Sequence, residues 1–119
     1  MTNSDKLLAR IVKHVNHSGD SLDITITVGG TLITGRLTSR AAWLSSSVEA
    51  LNQVDAMKGF ADEFAAEGGS LDTEDALHLA EGKVVFGAEP LIFAGTGFLR
   101  VPLAKVDSWA IGRVDIRRA

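Results

Sequence analysis

The sequence predicts a small α+β domain: an N-terminal helix, a strongly bent five-stranded antiparallel sheet, and a long helix inserted after the second strand. An apolar face of helical periodicity lies near the start, two segments of alternating character follow it, and a second helix-periodic run fills the middle. The 119 residues are 45% hydrophobic and 23% charged, the balance of a globular rather than a disordered chain. We therefore expect residues 1–119 to form a single domain.

The first helix is predicted by apolar residues that recur three and four positions apart. This face consists of Leu7, Leu8, Ile11, Val12 and Val15. Asn3 and Ser4 are suitable N-caps, and Asp5 would then lie in the first turn, where a carboxylate interacts favourably with the helix dipole. The turn-forming residues 16–20, which include Gly19, should end the helix.

The first two strands are predicted by a change of period. Leu22–Val28 alternates apolar and polar residues, which is typical of a strand with one buried face. Gly29-Gly30 supplies a tight hairpin turn, because glycine adopts positive φ freely. The return strand Thr31–Thr38 is rich in β-branched residues, and Gly35 within it predicts a bulge or a sharp bend.

One long helix is predicted over about residues 40–67, with Ser39 as its cap. Its expected buried stripe is Leu44, Val48, Leu51, Val54, Phe60 and Phe64. Gly59 weakens the helix, and Gly68-Gly69 should end it.

The third strand is predicted as two short extended pieces, residues 76–79 and 83–86, on either side of Glu81-Gly82. His78 would lie on the opposite side of this strand from its leucine neighbours, and we assign it no role.

The last part of the chain is expected to form a loop and a second hairpin. Residues 87–97 contain three glycines and one proline, a loop composition apart from a brief apolar stretch. Residues 98–103 and 108–114 are then predicted to pair as a hairpin, and the tail 115–119 is expected to fray.

Composition excludes several classes of protein. The chain has no cysteine, which excludes disulfides and thiolate chemistry and fits a reducing compartment. It has no apolar run near its start that would suit export, and none that approaches the ~20 residues of a membrane span. We expect a soluble, cytoplasmic protein.

Candidate catalytic and metal-binding residues are few. His14 and His17 are three positions apart, a spacing that can hold a metal, but no third ligand lies at a diagnostic interval. A hydrolase using the acidic pair Asp62 and Glu67 is the competing class, and it would need both carboxylates held in one cleft. Gly29-Gly30 precedes a strand and so lacks the helix N-terminus that cradles phosphate. We therefore expect no enzymatic activity, no cofactor and no metal.

The charge is unevenly distributed along the chain. Residues 49–81 contain nine acidic residues and one basic residue, a net charge of −8, whereas residues 100–119 carry a net charge of +3. An acidic middle segment repels phosphate, so nucleic acid is an unfavourable partner for that face. A solvated helix and loop is the simpler interpretation of the acidic segment, and a docking surface is the alternative.

Three residues are the candidates for an interaction site. Trp43 lies at the start of the long helix, and Trp109 lies in the middle of the last strand. Both could cover the core, or one could anchor a protein interface with Arg100 as its companion, because tryptophan and arginine concentrate at such anchors. We expect a homo-oligomer, or a contact with another protein, through the hairpin of residues 98–103 and 108–114.

The order of elements resembles an Sm-like barrel, an N-terminal helix on a strongly bent five-stranded sheet. The residues that carry the resemblance are Gly30, Gly35 and Leu37, spaced as in the first Sm motif, and Leu99-Arg100, which open a stretch like the second. The resemblance implies assembly through strand edges, and it makes RNA the alternative ligand. The Asp/Asn pocket of RNA-binding Sm proteins is missing.

Nearly the whole chain resembles the gas vesicle accessory protein GvpU family. The resemblance is carried by the arrangement of three segments, residues 24–35, 77–86 and 98–112. It implies a cytoplasmic, non-enzymatic role in gas vesicle formation or clustering, with the chain itself or another gas vesicle protein as the partner. The family offers no catalytic residues to assign.

Overall fold

The computed structural model describes residues 5–70, 75–86, 89–92 and 97–113, and over these residues the fold is α+β, as predicted. The predicted caps Asn3 and Ser4 and the predicted frayed tail 115–119 lie outside the described residues. The elements in chain order are α1 Lys6–Ser18, β1 Leu22–Val28, β2 Thr31–Thr38, α2 Arg40–Asn52, α3 Lys58–Ser70, β3 Ala76–Phe86, β4 Glu89–Ile92, β5 Phe98–Pro102 and β6 Ser108–Ile111, with 3-10 turns at Asp55–Met57 and Leu103–Lys105.

The strands form one antiparallel sheet that is open rather than closed into a barrel. Five strands follow the order β4-β3-β2-β1-β6, and β5 also pairs with β3. β4 pairs with the second half of β3 and β5 with its first half. The sheet therefore has six strands instead of the predicted five, because the segment predicted as a loop, residues 87–97, contributes β4.

The predicted second hairpin is wrong. Among the described residues, β5 pairs with β3 and β6 with β1, so the two strands do not pair with each other. Leu103, only 3% exposed, anchors the 3-10 turn between them in the core. Asp107 then joins the chain to the first hairpin, since its N–H donates to the Thr27 carbonyl at 2.8 Å and its carboxylate accepts from the Gly29 N–H at 2.7 Å.

The apolar core lies between α1 and one face of the sheet. Its buried members are Leu8, Val12, Val15, Ile24, Ile26, Ile33, Leu37, Leu77, Leu79, Val101 and Leu103. Leu7 was predicted to belong to this face but is 70% exposed, because it precedes the i, i+3, i+4, i+7 row that begins at Leu8.

Caps and turns set the boundaries of the first three elements. Asp5 is the N-cap of α1, and its Oδ1 accepts from the Leu7 and Leu8 N–H groups at 2.8 and 3.1 Å. The helix ends at Gly19, whose φ of 78° and hydrogen bond to the Val15 carbonyl form a left-handed cap. The β1–β2 turn has φ of 56° and 82° at its two glycines, as the hairpin prediction requires.

The bulge predicted at Gly35 is confirmed. The β2–β3 register shifts between Thr34 and Arg36, which pair with Lys83 and Ala80 respectively. A Cβ on Gly35 would lie 3.0 Å from the Ala80 carbonyl oxygen and 3.3 Å from the Gly82 Cα, so only glycine allows β3 to approach this closely. β3 is consequently one eleven-residue strand with an irregularity, not two separate pieces.

The helical insertion consists of two helices, so the prediction of a single helix over residues 40–67 is wrong. α2 is capped by Ser39 as predicted but ends at Asn52, and Val54 is extended with φ −106° and ψ 112°. Three of the six residues 51–56 are Asn52, Val54 and Asp55, which are weak helix formers. The break therefore falls at a locally weak point that periodicity alone does not reveal. No residue of α2 is fully buried, and Val54 and Phe60 are 51% and 42% exposed.

We predict that Gly35→Ala destabilises the protein by about 1–3 kcal/mol, because the added methyl group meets backbone atoms that cannot rotate away. Urea unfolding followed by circular dichroism measures the effect. Gly59→Ala is the matched control, since the position is helical and no described atom outside the adjoining residues and helix backbone lies within 4 Å of a Cβ there. The control should be neutral or stabilising by up to about 1 kcal/mol. Equal stability of the Gly35→Ala variant and the parent would contradict the close approach.

Candidate functional site

His78 is buried on the face of β3 that is turned away from the apolar core. Its neighbours Leu77 and Leu79 point into the core, and alternation turns the imidazole to the other side, where it is only 1% exposed. The Trp43 ring of α2 covers it, with the two ring centroids 4.8 Å apart and the planes 32° from parallel. α2 thus packs on the second face of the sheet.

Arg100 is fixed by both of these rings. It lies on β5 directly opposite His78 in the strand register, and its Nη1 is 2.9 Å from the His78 Nε2. Its Cζ lies 5.0 Å from the Trp43 ring centroid, a cation–π contact. Asp75 is a weak additional partner, because its exposed carboxylate is 4.0 Å from the Arg100 Nη2.

His78 is neutral at pH 7. Arginine only donates hydrogen bonds, so the His78 Nε2 accepts and the ring proton lies on Nδ1. That buried Nδ1 has no hydrogen-bond partner among the described residues. The pKa of His78 is lowered from 6.5 to about 4, chiefly by burial and also by the positive charges of Arg100 and Arg40, against an opposing effect of Asp75.

A pocket of about 330 Å³ opens beside this cluster, and we call it the aromatic pocket. Residues of α2, α3 and β5 line it: Arg40, Trp43, Phe60, Phe64, Glu67, Gly68 and Arg100. The aromatic side chains contact one another, with the Trp43 and Phe64 centroids 6.0 Å apart at 61° and the Phe60 and Phe64 centroids 5.9 Å apart. Its volume is at the small end of ligand-binding pockets.

Glycine at position 68 allows the two helices to form one wall of the pocket. A Cβ on Gly68 would lie 2.6 Å from the Leu44 Cδ1, so any larger residue would force Leu44 to move. The rim of the pocket carries two arginines and one glutamate. The described lining of the site therefore combines aromatic side chains with a net positive charge.

The acidic pair of the competing hydrolase is not brought together in this pocket. Glu67 lines the pocket, whereas Asp62 is exposed on α3 and is not among the lining residues. General acid–base catalysis by two carboxylates requires both in one cleft.

The three predicted interaction residues occupy two places. Trp43 and Arg100 lie together at the aromatic pocket, whereas Trp109 lies on β6, with β1 and β2 between it and β3. Trp109 is half-buried against the apolar core. A hydrogen bond from its side chain, with smaller contributions from backbone N–H groups, lowers the pKa of the Asp5 carboxyl. Its predicted interface role stays a prediction.

The histidine pair of α1 lies on the surface. The His14 Nε2 is 3.3 Å from the Asp20 Oδ2, and both side chains are exposed. His14 and His17 share a shallow hollow with Arg10 and Lys13. Residues 5–70, 75–86, 89–92 and 97–113 contain no group of three or more possible metal ligands.

Sequence reasoning missed most of the pocket. It assigned no role to His78, although a histidine between two leucines in a strand indicates a second covered face. It also predicted that Phe60 and Phe64 belong to a buried stripe. In the structure their i, i+4 spacing places the two rings in contact, and both line the pocket. Arg40 carried no sequence signal, and Glu67 was considered only as a partner of Asp62, because only the packing of α2, α3 and β5 brings these two residues to the pocket.

The fold is a small α+β one, with a pocket lined by aromatic residues and arginines between its helical insertion and its sheet. The family model described as gas vesicle protein GvpU-like matches residues 5–114. The chain therefore belongs to the GvpU-like family, which confirms the resemblance, and it is a gas-vesicle-associated protein. The family is a structural or accessory one and is not known to be enzymatic.

No curated protein and no solved structure matches the chain. None of the helices in the described part of the chain has the length and hydropathy needed to cross a bilayer.

We predict that His78 makes folding stability depend on pH. The pKa of about 4 in the folded chain is below the usual value of about 6.5 in the unfolded chain. As the pH falls, the unfolded chain therefore binds the proton first. Stability should be full above about pH 6.5 and should fall by up to about 3 kcal/mol towards pH 4.

His78→Gln is the matched variant for this prediction, because glutamine retains an acceptor for Arg100 and does not titrate. Urea unfolding measures the free energy of unfolding of both proteins between pH 7 and pH 4. The carboxylates titrate in both proteins, so the difference between the two pH profiles reports His78 alone. Parallel pH profiles for the two proteins would contradict the buried, neutral histidine.

Proposed function

We propose that this chain is a non-enzymatic, cytoplasmic accessory protein of gas vesicle formation or clustering, which acts as a single domain by protein contact through the aromatic pocket. The observation that carries the proposal is Arg100, fixed against Trp43 at the edge of an apolar pocket. Membership of the GvpU-like family supports the process.

The composition of the pocket favours a protein partner. Tryptophan and arginine are the residue types that most often dominate binding energy at protein interfaces, and Phe60 adds an exposed aromatic surface, at 42%, beside them. Arg100 is already held by His78 and Trp43, so little of its side-chain entropy remains to be lost on binding. The site is therefore suited to anchor a side chain of another protein.

The chemistry of the pocket also supports a non-enzymatic role. Among the described lining residues there is one carboxylate, Glu67, and there is no serine, threonine, lysine or cysteine that could act as a nucleophile. His78 lies under Trp43 with its pKa lowered, which suits a fixed hydrogen-bond acceptor for Arg100.

We predict that Phe60→Ala weakens binding to isolated gas vesicles or their proteins by at least about fivefold, corresponding to a loss of more than about 1 kcal/mol. Leu7→Ala is the control, because Leu7 is also a large exposed apolar residue, at 70%, but lies on α1 away from the pocket. Co-purification of each variant with isolated gas vesicles measures the effect. The proposal fails if the two variants bind alike.

Self-association is the second contact that we propose, through the edge of β6. Among the described residues β6 pairs only with β1, so its other edge is available for another strand. Ile111 on this strand is 67% exposed, and Trp109 is the predicted anchor. The partner in this contact would be a second copy of the chain or another gas vesicle protein.

We predict that Trp109→Ala costs about 2 kcal/mol or more of association free energy if Trp109 is an anchor of that contact. Sedimentation measures the association, and circular dichroism establishes that the variant is folded, because Trp109 also packs on the core. A folded variant that associates like the parent would remove Trp109 from the interface. A steep loss of binding with rising salt would instead indicate RNA, the alternative partner, because phosphate binding releases counterions.

A further inference from the structure

Among the residues that the structure describes, Arg100 has hydrogen-bond donors without an acceptor. A guanidinium group has five N–H donors, and one of them is directed to the His78 Nε2 at 2.9 Å. The Asp75 oxygen lies 4.0 Å from Nη2, which is too long for a hydrogen bond. The Arg100 side chain is 39% exposed and lines the aromatic pocket, so it can donate to a ligand there.

The charges at the pocket select an anion. Arg40 and Arg100 outnumber the single carboxylate of Glu67 among the described lining residues. The Trp43 ring, which would otherwise attract a ligand cation, already has the Arg100 guanidinium over it at 5.0 Å. A second cation would be repelled, whereas a carboxylate matches the planar donor fork of arginine.

The remainder of the pocket is apolar. Trp43, Phe60 and Phe64 supply rings in the same small cavity as the two arginines. A ligand that satisfies both parts must carry its apolar group and its carboxylate within a few bonds of each other. The last residue of a polypeptide has this arrangement, since its side chain and its free carboxylate share one Cα.

We propose that the aromatic pocket captures the C-terminal residue of a partner polypeptide, with an apolar side chain against the three aromatic rings and the terminal carboxylate at Arg100 and Arg40. This inference rests on the proposed function and names the ligand chemistry of the same site. His78 is a positioning residue, because it holds the guanidinium in place and does not itself reach the ligand.

The test uses the full chain and a hexapeptide that ends in phenylalanine, in two forms, with a free C-terminus and with an amidated one. The chain has two tryptophans, so NMR spectra contain two indole N–H signals, and Trp109→Phe assigns them. The free peptide should shift the Trp43 signal and leave the Trp109 signal unchanged. The amidated peptide should bind at least about tenfold more weakly, because the charge-assisted hydrogen bonds are lost.

Variants locate the carboxylate. Arg100→Gln and Arg40→Gln should each reduce the preference for the free peptide over the amidated one. Arg10→Gln, the same change on the exposed surface of α1, should retain that preference. Equal binding of the free and amidated peptides by the parent, or an unchanged preference in Arg100→Gln, overturns the proposal.

The source of the carboxylate is tested with N-acetylphenylalanine, which has the same end group without the peptide. We expect the hexapeptide to bind more tightly, because residues before the last one can contact the exposed Phe60. Equal affinities would make the pocket a site for small carboxylates and overturn the polypeptide source. If Phe60→Ala no longer co-purifies with gas vesicles while the free and amidated hexapeptides bind the parent equally, this inference fails and the proposed function stands.

Discussion

β3 is the strand on which the structure depends, because it is covered on both faces and paired along both edges. Leu77 and Leu79 fill the core beneath α1, and His78 between them is buried under Trp43. β2 pairs with one edge, and β4 and β5 share the other. A buried polar side chain at such a position requires a hydrogen-bond partner, and Arg100 on β5 supplies it. The apolar core and the candidate site are therefore adjacent at His78, which lies between two core leucines and contacts Trp43 and Arg100.

The bulge opposite Gly35 has a consequence at the surface as well as in the sheet. Glu81 adopts φ of 55°, in the left-handed region that residues other than glycine seldom occupy. Its carboxylate contacts Arg113 at 2.8 Å and Arg36 at 3.2 Å, and Arg113 also binds Asp23. These exposed ion pairs contribute little individually, but they join β1, β2 and β3 to the residues after β6 where the register is irregular.

The helical insertion supplies most of the described pocket lining and none of the described members of the buried core cluster. None of the α2 residues is fully buried, and the α3 aromatics face the pocket and the solvent. The insertion covers the buried His78 of the sheet with the Trp43 ring, and Trp43 lies beside Arg100 through a second contact. The acidic residues of α2 and α3 are exposed, and only Glu67 of these lines the pocket, where two arginines outnumber it. This separation of charge is consistent with an anionic ligand there.

The sequence by itself determined the features that depend on neighbouring residues: the α+β class, the first hairpin with its glycine turn, the Gly35 bulge, the Ser39 cap and the family. Local periodicity and glycine conformation encode these features directly. Only the tertiary structure decided that β5 and β6 pair with different strands, that the insertion breaks near Val54, and that His78, Trp43 and Arg100 meet. Each of these depends on contacts between residues far apart in the chain, where several pairings satisfy the same local pattern and packing of the whole core selects one.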